Sequence, residues 1–278
     1  MYRVPIGKYF EAFIDWLTEN FEPVFDGMKA GILGLITGFE KALLFIPALV
    51  FIAIIALLAW KVAGRKVAIF TAVGLLIIEN IQLWEETMET LALVFTATVI
   101  ALVIGIPLGI WMARNNTVDR TVRPILDFMQ TMPAFVYLIP AVIFFDLGKV
   151  PGAVATIIFA MPPVVRLTNL GIRQVPEDVI EAAKSFGSTS RQMLMKVQLP
   201  LATPTILAGV NQTIMLALSM VIISAMIGAR GLGEEVLKGV TQMQIGKGFE
   251  GGIAVVILAM VLDRVTQALG NSKKARTG

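Results

Sequence analysis

The side chains that could do bond-making chemistry are few. The 278 residues include no histidine and no cysteine. That excludes disulfides, Cys/His metal sites, a cysteine nucleophile and every histidine-based triad or proton relay. No GxxxxGK[ST] sequence occurs, so a phosphate-cradling loop of that type is absent too. Gly228, Gly231 and Gly233 are spaced GxxGxG, not GxGxxG, and follow an apolar run instead of a strand, so they read as a turn. What remains are polar and aromatic side chains set in apolar surroundings: Gln130, Tyr137, Phe144, Phe145, Asn211, Gln212 and Ser219. Such groups bind and orient a solute; they do not cleave one. Intramembrane amides line solute paths, or they join neighbouring helices. Aromatic faces attract quaternary ammonium groups, or they anchor span ends at the interface. Both readings stay open for each residue.

The elements that must hold these groups are membrane helices. Hydrophobic residues make up 56% of the chain and charged residues 15%, beyond what a soluble domain of this size can bury. A span needs about 20 mostly apolar residues. Seven segments qualify: 42–60, 67–84, 91–113, 127–145, 150–165, 205–227 and 251–268. They contain only four charges, Glu79, Asp127, Asp263 and Arg264, all near span ends, where hydration avoids the roughly 2.5–3.5 kcal/mol of a central charge. The segments 67–84 and 150–165 are the weakest, the first broken by Glu79-Asn80 and the second ending at Pro162-Pro163.

Orientation follows from loop charge. With the N-terminus outside, the inside segments 61–66, 114–126, 166–204 and 269–278 carry 14 basic and 4 acidic residues, and the outside segments carry 8 and 13. The net charge of +3 is thus a strongly positive inside face set against a negative outside face, which is a topology signal and not a nucleic-acid footprint. The expectation is an all-α membrane protein, N-out and C-in, with a basic cytoplasmic tail at 269–278.

The first 41 residues do not read as a signal peptide, because no basic region precedes a continuous apolar core. Phe10, Phe13, Ile14, Leu17, Phe21 and Phe25 recur at helical spacing beside an acidic stripe of Glu11, Asp15, Glu19, Glu22 and Asp26, so an amphipathic helix interrupted at Pro23 is expected. It would lie on the outer membrane surface or pack on a partner. Ile32, Leu33, Ile36 and Phe39 form a further apolar face, where Gly31, Gly34 and Gly38 predict close backbone approach.

The longest inside segment, 166–204, carries the sharpest local pattern. Pro176-Glu177-Asp178 starts a helix with acids in its first turn. Val179, Ala183 and Phe186 form one apolar ridge, and Glu181 and Lys184 are spaced for an ion pair. Gly187 ends the helix as a left-handed cap, Thr189 or Ser190 caps a second one, and Pro200 is expected to stop it.

This elbow resembles the coupling motif of binding-protein-dependent ABC permeases. Glu181-Ala182-Ala183 is followed after three residues by Gly187 and, nine residues later, by Val197-Gln198-Leu199-Pro200. The departure from the motif is Val197 in place of isoleucine. Gln130-Thr131-Met132-Pro133, Met161-Pro162-Pro163, Gly209-Val210-Asn211-Gln212 and Ala229-Arg230-Gly231-Leu232-Gly233 are similar to the quaternary-amine branch, which contains the glycine betaine/proline betaine osmoprotectant permeases. The resemblance covers roughly residues 88–268. It implies a type I importer fold: amphipathic helices over 1–41, extra spans over 42–84, a permease core over 85–268 and a coupling loop over 172–200. It further implies a non-catalytic subunit with ATP and magnesium held by a pair of partner ATPases, an external or lipid-anchored solute-binding protein, and a second permease copy in the same lipid bilayer. The coupling residues would be Val179, Glu181, Ala182, Ala183, Phe186, Gly187, Leu199 and Pro200. A secondary transporter, a non-transport scaffold, or a permease for choline, carnitine or an amino acid are the rival expectations.

Overall fold

The computed structural model describes residues 6–277 and is helical throughout the described residues. Residues 1–5 and the side chains of the basic tail 269–278 lie outside the described residues. The helices are α1 (Ile6–Leu44), α2 (Ala48–Ala63), α3 (Arg65–Asn80), α4 (Trp84–Arg114), α5 (Asn116–Thr131), α6 (Leu138–Phe145), α7 (Lys149–Arg173), α8 (Glu177–Ser185), α9 (Ser190–Gln192), α10 (Leu199–Ala225), α11 (Leu232–Thr241) and α12 (Ile245–Thr277). A 3-10 turn spans Ala134–Tyr137, and a π-helical segment, Met193–Gln198, joins α9 to α10.

Among the described residues, four helices are long and apolar enough to cross a bilayer: Trp84–Arg114, Lys149–Arg173, Ser190–Ala225 and Ile245–Ala268. Two bent pairs raise the number to six, and the seventh expected segment lies on α3, whose 16 residues fall short of that length. The segment 42–60 is divided, because α1 runs on to Leu44 and meets α2 at 97° across Pro47. The segment 67–84 is shorter than expected. α3 ends at Asn80, Gln82 turns with φ of +60°, and Trp84 opens α4 instead of extending α3. The segment 127–145 is broken. The helix ends at Thr131, Met132 is extended before Pro133, and the chain re-enters helix after a bend of 109°.

The opposite correction applies to 150–165. α7 runs through Pro162-Pro163 to Arg173. The missing N–H bonds are outweighed because α4 and α10 cover it on both sides, so Val164, Val165 and Ala160 are buried. α7 is the centre of the bundle. At its crossing with α10 a Cβ on Gly209 would meet the Leu167 Cβ at 3.0 Å and the Val164 Cα at 3.1 Å. Only glycine permits that approach, which is how helices associate where lipid supplies no hydrophobic drive.

The main core, with Leu75, Ile78, Met88, Val94, Leu218 and Leu258, ties α3, α4, α10 and α12 together. Three buried threonine hydroxyls are satisfied by the carbonyl four residues back: Thr87 donates to Leu83 at 2.6 Å, Thr96 to Ala92 at 2.7 Å and Thr156 to Gly152 at 2.7 Å, whereas those of Thr71, Thr98, Thr168 and Thr213 have no partner among the described residues. Thr90 also donates to the carbonyl four residues back, that of Glu86, at 2.8 Å, and makes a second bond. Its Oγ1 accepts the buried N–H of Leu232 at 2.9 Å and pins the start of α11 to α4.

α1 has the interruption expected near Pro23, a kink at Phe21 with φ of −121° and ψ of 15°. Beyond it, Ile32 and Ile36 are buried against Leu93, Phe145, Val150 and Ala153. The expected close approach at Gly31, Gly34 and Gly38 does not occur; each position opens onto space that would accept a Cβ. α1 is held instead by side chains. Phe25 stacks on Phe144 with centroids 4.4 Å apart. Lys29 pairs with Asp146 at 2.5 Å. Lys149 bridges Glu40 at 2.7 Å and Glu89 at 2.8 Å, joining α1, α7 and α4.

Candidate functional sites: the coupling elbow and the α5–α7 cavity

The elbow is built by local rules. Pro176 sits as the N-cap of α8, one residue earlier than the first-turn position expected, with Glu177 and Asp178 in the first turn against the positive helix end. At the other end the Gly187 N–H donates to the Lys184 carbonyl at 2.9 Å and the Ser188 N–H to Ala183 at 3.1 Å, a full Schellman cap, with Gly187 at φ of +78°. Thr189 then caps the next helix. Its hydroxyl accepts the Gln192 N–H, while the Gln192 side chain accepts the Thr189 N–H. Two reciprocal caps back to back fix the angle of the elbow without any core.

No residue of α8 is buried. Val179 is 38% exposed and Phe186, at the apex, 91%. Glu181 and Ala182 are exposed and Ala183 is half-buried. The expected Glu181–Lys184 ion pair is not among the pairs formed by the described residues. The Glu181 carbonyl accepts the Ser185 hydroxyl instead. Pro200 does not stop the second helix. α9, the π segment and α10 run as one helix of 36 residues from Ser190 to Ala225, with Pro200 in the first turn of α10. A proline ring clashes with the carbonyl four residues back, here Lys196, and the wider winding of Met193–Gln198 lies there. Leu199 packs near Ile172, Leu194 and Ala202 and so anchors the elbow's second arm on α7.

The residues considered for a solute path separate into two groups. Gln130 and Gln212 line a cavity of about 640 Å³ between α5, α7 and α10. The other five lie elsewhere, Phe145 among them, buried with Ile32, Ile36 and Val150. Tyr137 is 6% exposed, and its hydroxyl donates to the Met129 carbonyl. Phe144 is taken up by the stack with Phe25. The Asn211 amide donates to Asp263 at 2.9 Å and its oxygen accepts the Thr266 hydroxyl, so it joins α10 to α12. Ser219 donates to the Met215 carbonyl of its own helix at 3.0 Å.

Sequence reasoning missed the charged part of the cavity. α5 presents Asp119, Arg123, Asp127 and Gln130 at helical steps, and α7 answers with Arg166, Asn169 and Arg173. Asp119, 9% exposed, accepts from Arg123 at 3.0 Å and from Asn169 at 2.7 Å, and lies 3.7 Å from Arg173. Asp127 pairs with Arg166. The periodicity on each helix was available as a signal. It is masked because Pro162-Pro163 reads as the end of the span that carries the second ladder.

Comparison with known proteins agrees with this architecture. Residues 105–274 match the model of the binding-protein-dependent transport system inner membrane component family. The chain is 54% identical to the glycine betaine transport system permease protein OpuAB of Bacillus subtilis, over 99% of this chain and 97% of that protein. It is 52% identical to the glycine betaine/proline betaine transport system permease protein ProW of Escherichia coli, over 98% of this chain and 77% of that protein. Among solved structures, the inward-facing MetNI methionine ABC transporter matches with a TM-score of 0.63 at 22% identity, over 69% of this chain and 95% of that one, which shows a shared type I importer fold. A capped elbow projecting from a bundle of long apolar helices, and a family model matching most of that bundle, lead to one assignment: the chain belongs to the binding-protein-dependent transport system inner membrane component family.

Proposed function

We propose that this chain is the membrane-spanning permease subunit of an ATP-driven importer for quaternary-amine compatible solutes of the glycine betaine and proline betaine class. The observation that carries the reading is the elbow: a doubly capped, core-free projection with Phe186 at its tip, on a chain whose 52–54% identical relatives are glycine betaine permeases. A side chain as large as Phe186 left 91% exposed needs a pocket on a partner. That partner is the ATPase, which holds ATP and its magnesium, and this chain contributes no catalytic group. Val179 and Ala183 extend the ridge, and Gly187 sets its angle. Two copies of the chain pair in the bilayer, with the N-terminus outside and α1 along the outer surface. An external binding protein delivers the solute. Closure of the two ATPases draws the elbows together and turns the solute path from inward- to outward-facing.

The test is reconstitution of the chain with its ATPase and binding protein in liposomes, followed by ATP-dependent uptake of glycine betaine against choline, carnitine and proline. Uptake of betaine that requires ATP supports the reading. Uptake that proceeds without ATP points to a secondary transporter. ATP-driven uptake confined to choline or carnitine reassigns the solute.

A further inference from the structure

The cavity between α5, α7 and α10 contains donors that the ion-pair ladder leaves unused. Arg173 is tied into the helices through Nε and Nη2: it donates to the Met112 carbonyl at 2.8 Å, to Asn116 at 2.9 Å and to Asn169 at 2.9 Å. Arg123 spends its contacts on Asp119. Arg166 differs. One of its nitrogens meets Asp127, while its Nε is buried with no partner. Such an orphan guanidinium donor is costly, because a charged donor loses more on burial than a neutral one. Gln130 from α5 and Gln212 from α10 stand in the same wall, and among the described residues neither side-chain amide is hydrogen-bonded. Three helices therefore converge on one cavity with a half-used guanidinium and two free amides. Beside them the Asp127 carboxylate remains half exposed and engages Arg166 through one oxygen.

We propose that this cavity binds the transported solute as a zwitterion, with its carboxylate on Arg166 between Gln130 and Gln212 and its cationic end toward Asp127. The inference rests on the reading of the chain as a betaine importer and names the residues that would hold the solute within it. A carboxylate is the natural partner of a guanidinium fork and of amide N–H groups. The adjacent Arg166–Asp127 pair offers positive and negative charge side by side, in the order a small zwitterion presents them. About 640 Å³ holds such a solute together with water. Because Asp127 already occupies part of Arg166, the solute competes for the guanidinium and is held weakly, as a transport intermediate must be if it is to leave.

The experiment uses the liposome-reconstituted complex and reads glycine betaine taken up per ATP hydrolysed. Arg166→Gln is expected to lower that ratio about tenfold, and Arg166→Lys, which keeps the charge facing Asp127 but loses the fork, by about fivefold. A ratio within about twofold of the parent in both variants overturns the proposal. So does a parallel fall of uptake and hydrolysis with an unchanged ratio, which would mark a purely structural ion pair. If Arg166→Gln does not assemble, Arg166→Lys decides. Vesicles with and without anionic lipid separate the remaining source of carboxylate-like chemistry: an effect of Arg166 seen only with anionic lipid assigns the site to a headgroup and overturns the proposal. A parent complex that imports no betaine rejects the functional reading itself, and is recognised before any variant is compared.

Discussion

Replacing Gly187 by alanine, asparagine and valine separates the backbone geometry of the elbow from its contacts. No atom lies within 4 Å of where a Cβ would stand at Gly187, so none of the three side chains clashes. The cost is in the backbone alone. At φ of +78° an alanine costs about 1–2 kcal/mol, asparagine less because its side chain tolerates that region, and a β-branched valine more. α8 has nothing to set against this. It has nine residues and buries none, and isolated helices shorter than about 12–15 residues are marginal in water. Its order depends on the two Schellman bonds from the N–H groups of Gly187 and Ser188. A loss of about 1.4 kcal/mol reduces the population of the formed elbow about tenfold. In liposomes carrying the full complex, solute imported per ATP hydrolysed is expected to fall in the order Asn, Ala, Val, with alanine about tenfold down. The melting temperature of the complex should not follow, since no core residue lies on α8. Parent-like ratios in both Ala and Val, or an Asn variant as poor as Val, would refute the argument that φ at Gly187 sets the coupling angle.

The other predictions concern how the outer elements are held. Lys149→Met leaves Glu40 and Glu89, 22% and 11% exposed, without their shared cation, at a cost of roughly 3 kcal/mol; a lower melting temperature and faster hydrogen exchange along α1 are expected, and unchanged exchange there would show that α1 needs no ionic tie. Thr90→Val removes the acceptor of the buried Leu232 N–H at nearly constant volume and should cost about 1–3 kcal/mol in thermal stability, with Thr90→Ser close to the parent; equal stability of all three would mean that this N–H finds another acceptor.

What was legible in the sequence was what is local. Pro176, Gly187 and Thr189 lie within fourteen residues of one another, and each acts through bonds to residues three to five positions away, so spacing alone placed the elbow and both its caps. Proline was the unreliable sign. Pro133 bends the chain and Pro23 kinks α1 nearby, but Pro162-Pro163 and Pro200 sit inside continuous helices. The difference is packing: α7 is enclosed by neighbours, and the π winding lies where Pro200 would clash, whereas the turn at Pro133 falls between helices. The pairing of the α5 and α7 ladders is hidden both by Pro162-Pro163 and by sequence separation. Asp127 and Arg166 are 39 positions apart and Asp119 and Asn169 are 50, and no spacing rule connects residues whose meeting depends on two turns and a broken span. Gly31, Gly34 and Gly38 show the converse error, since a row of small residues permits close approach but does not bring a neighbour to it.

The unbroken helix from Ser190 to Ala225 has a mechanical consequence. Thirty-six residues make a rod of roughly 54 Å. Close approaches tie it to α7 along that length: a Cβ at Gly209 would meet the Leu167 Cβ at 3.0 Å, and Cβ atoms at Gly152 and Gly171 of α7 would meet Ser224 and Thr205 at the same distance. A rod tied at several points to its neighbour cannot rock against it. A tilt of about 10° about its middle would carry each end about 5 Å, on a length set by the helical rise, and α7 would have to tilt with it. The arm that begins at Thr189 and the arm that ends at Ala225 would then belong to one two-helix plate, whose three glycine seams transmit a push at the elbow to its far edge.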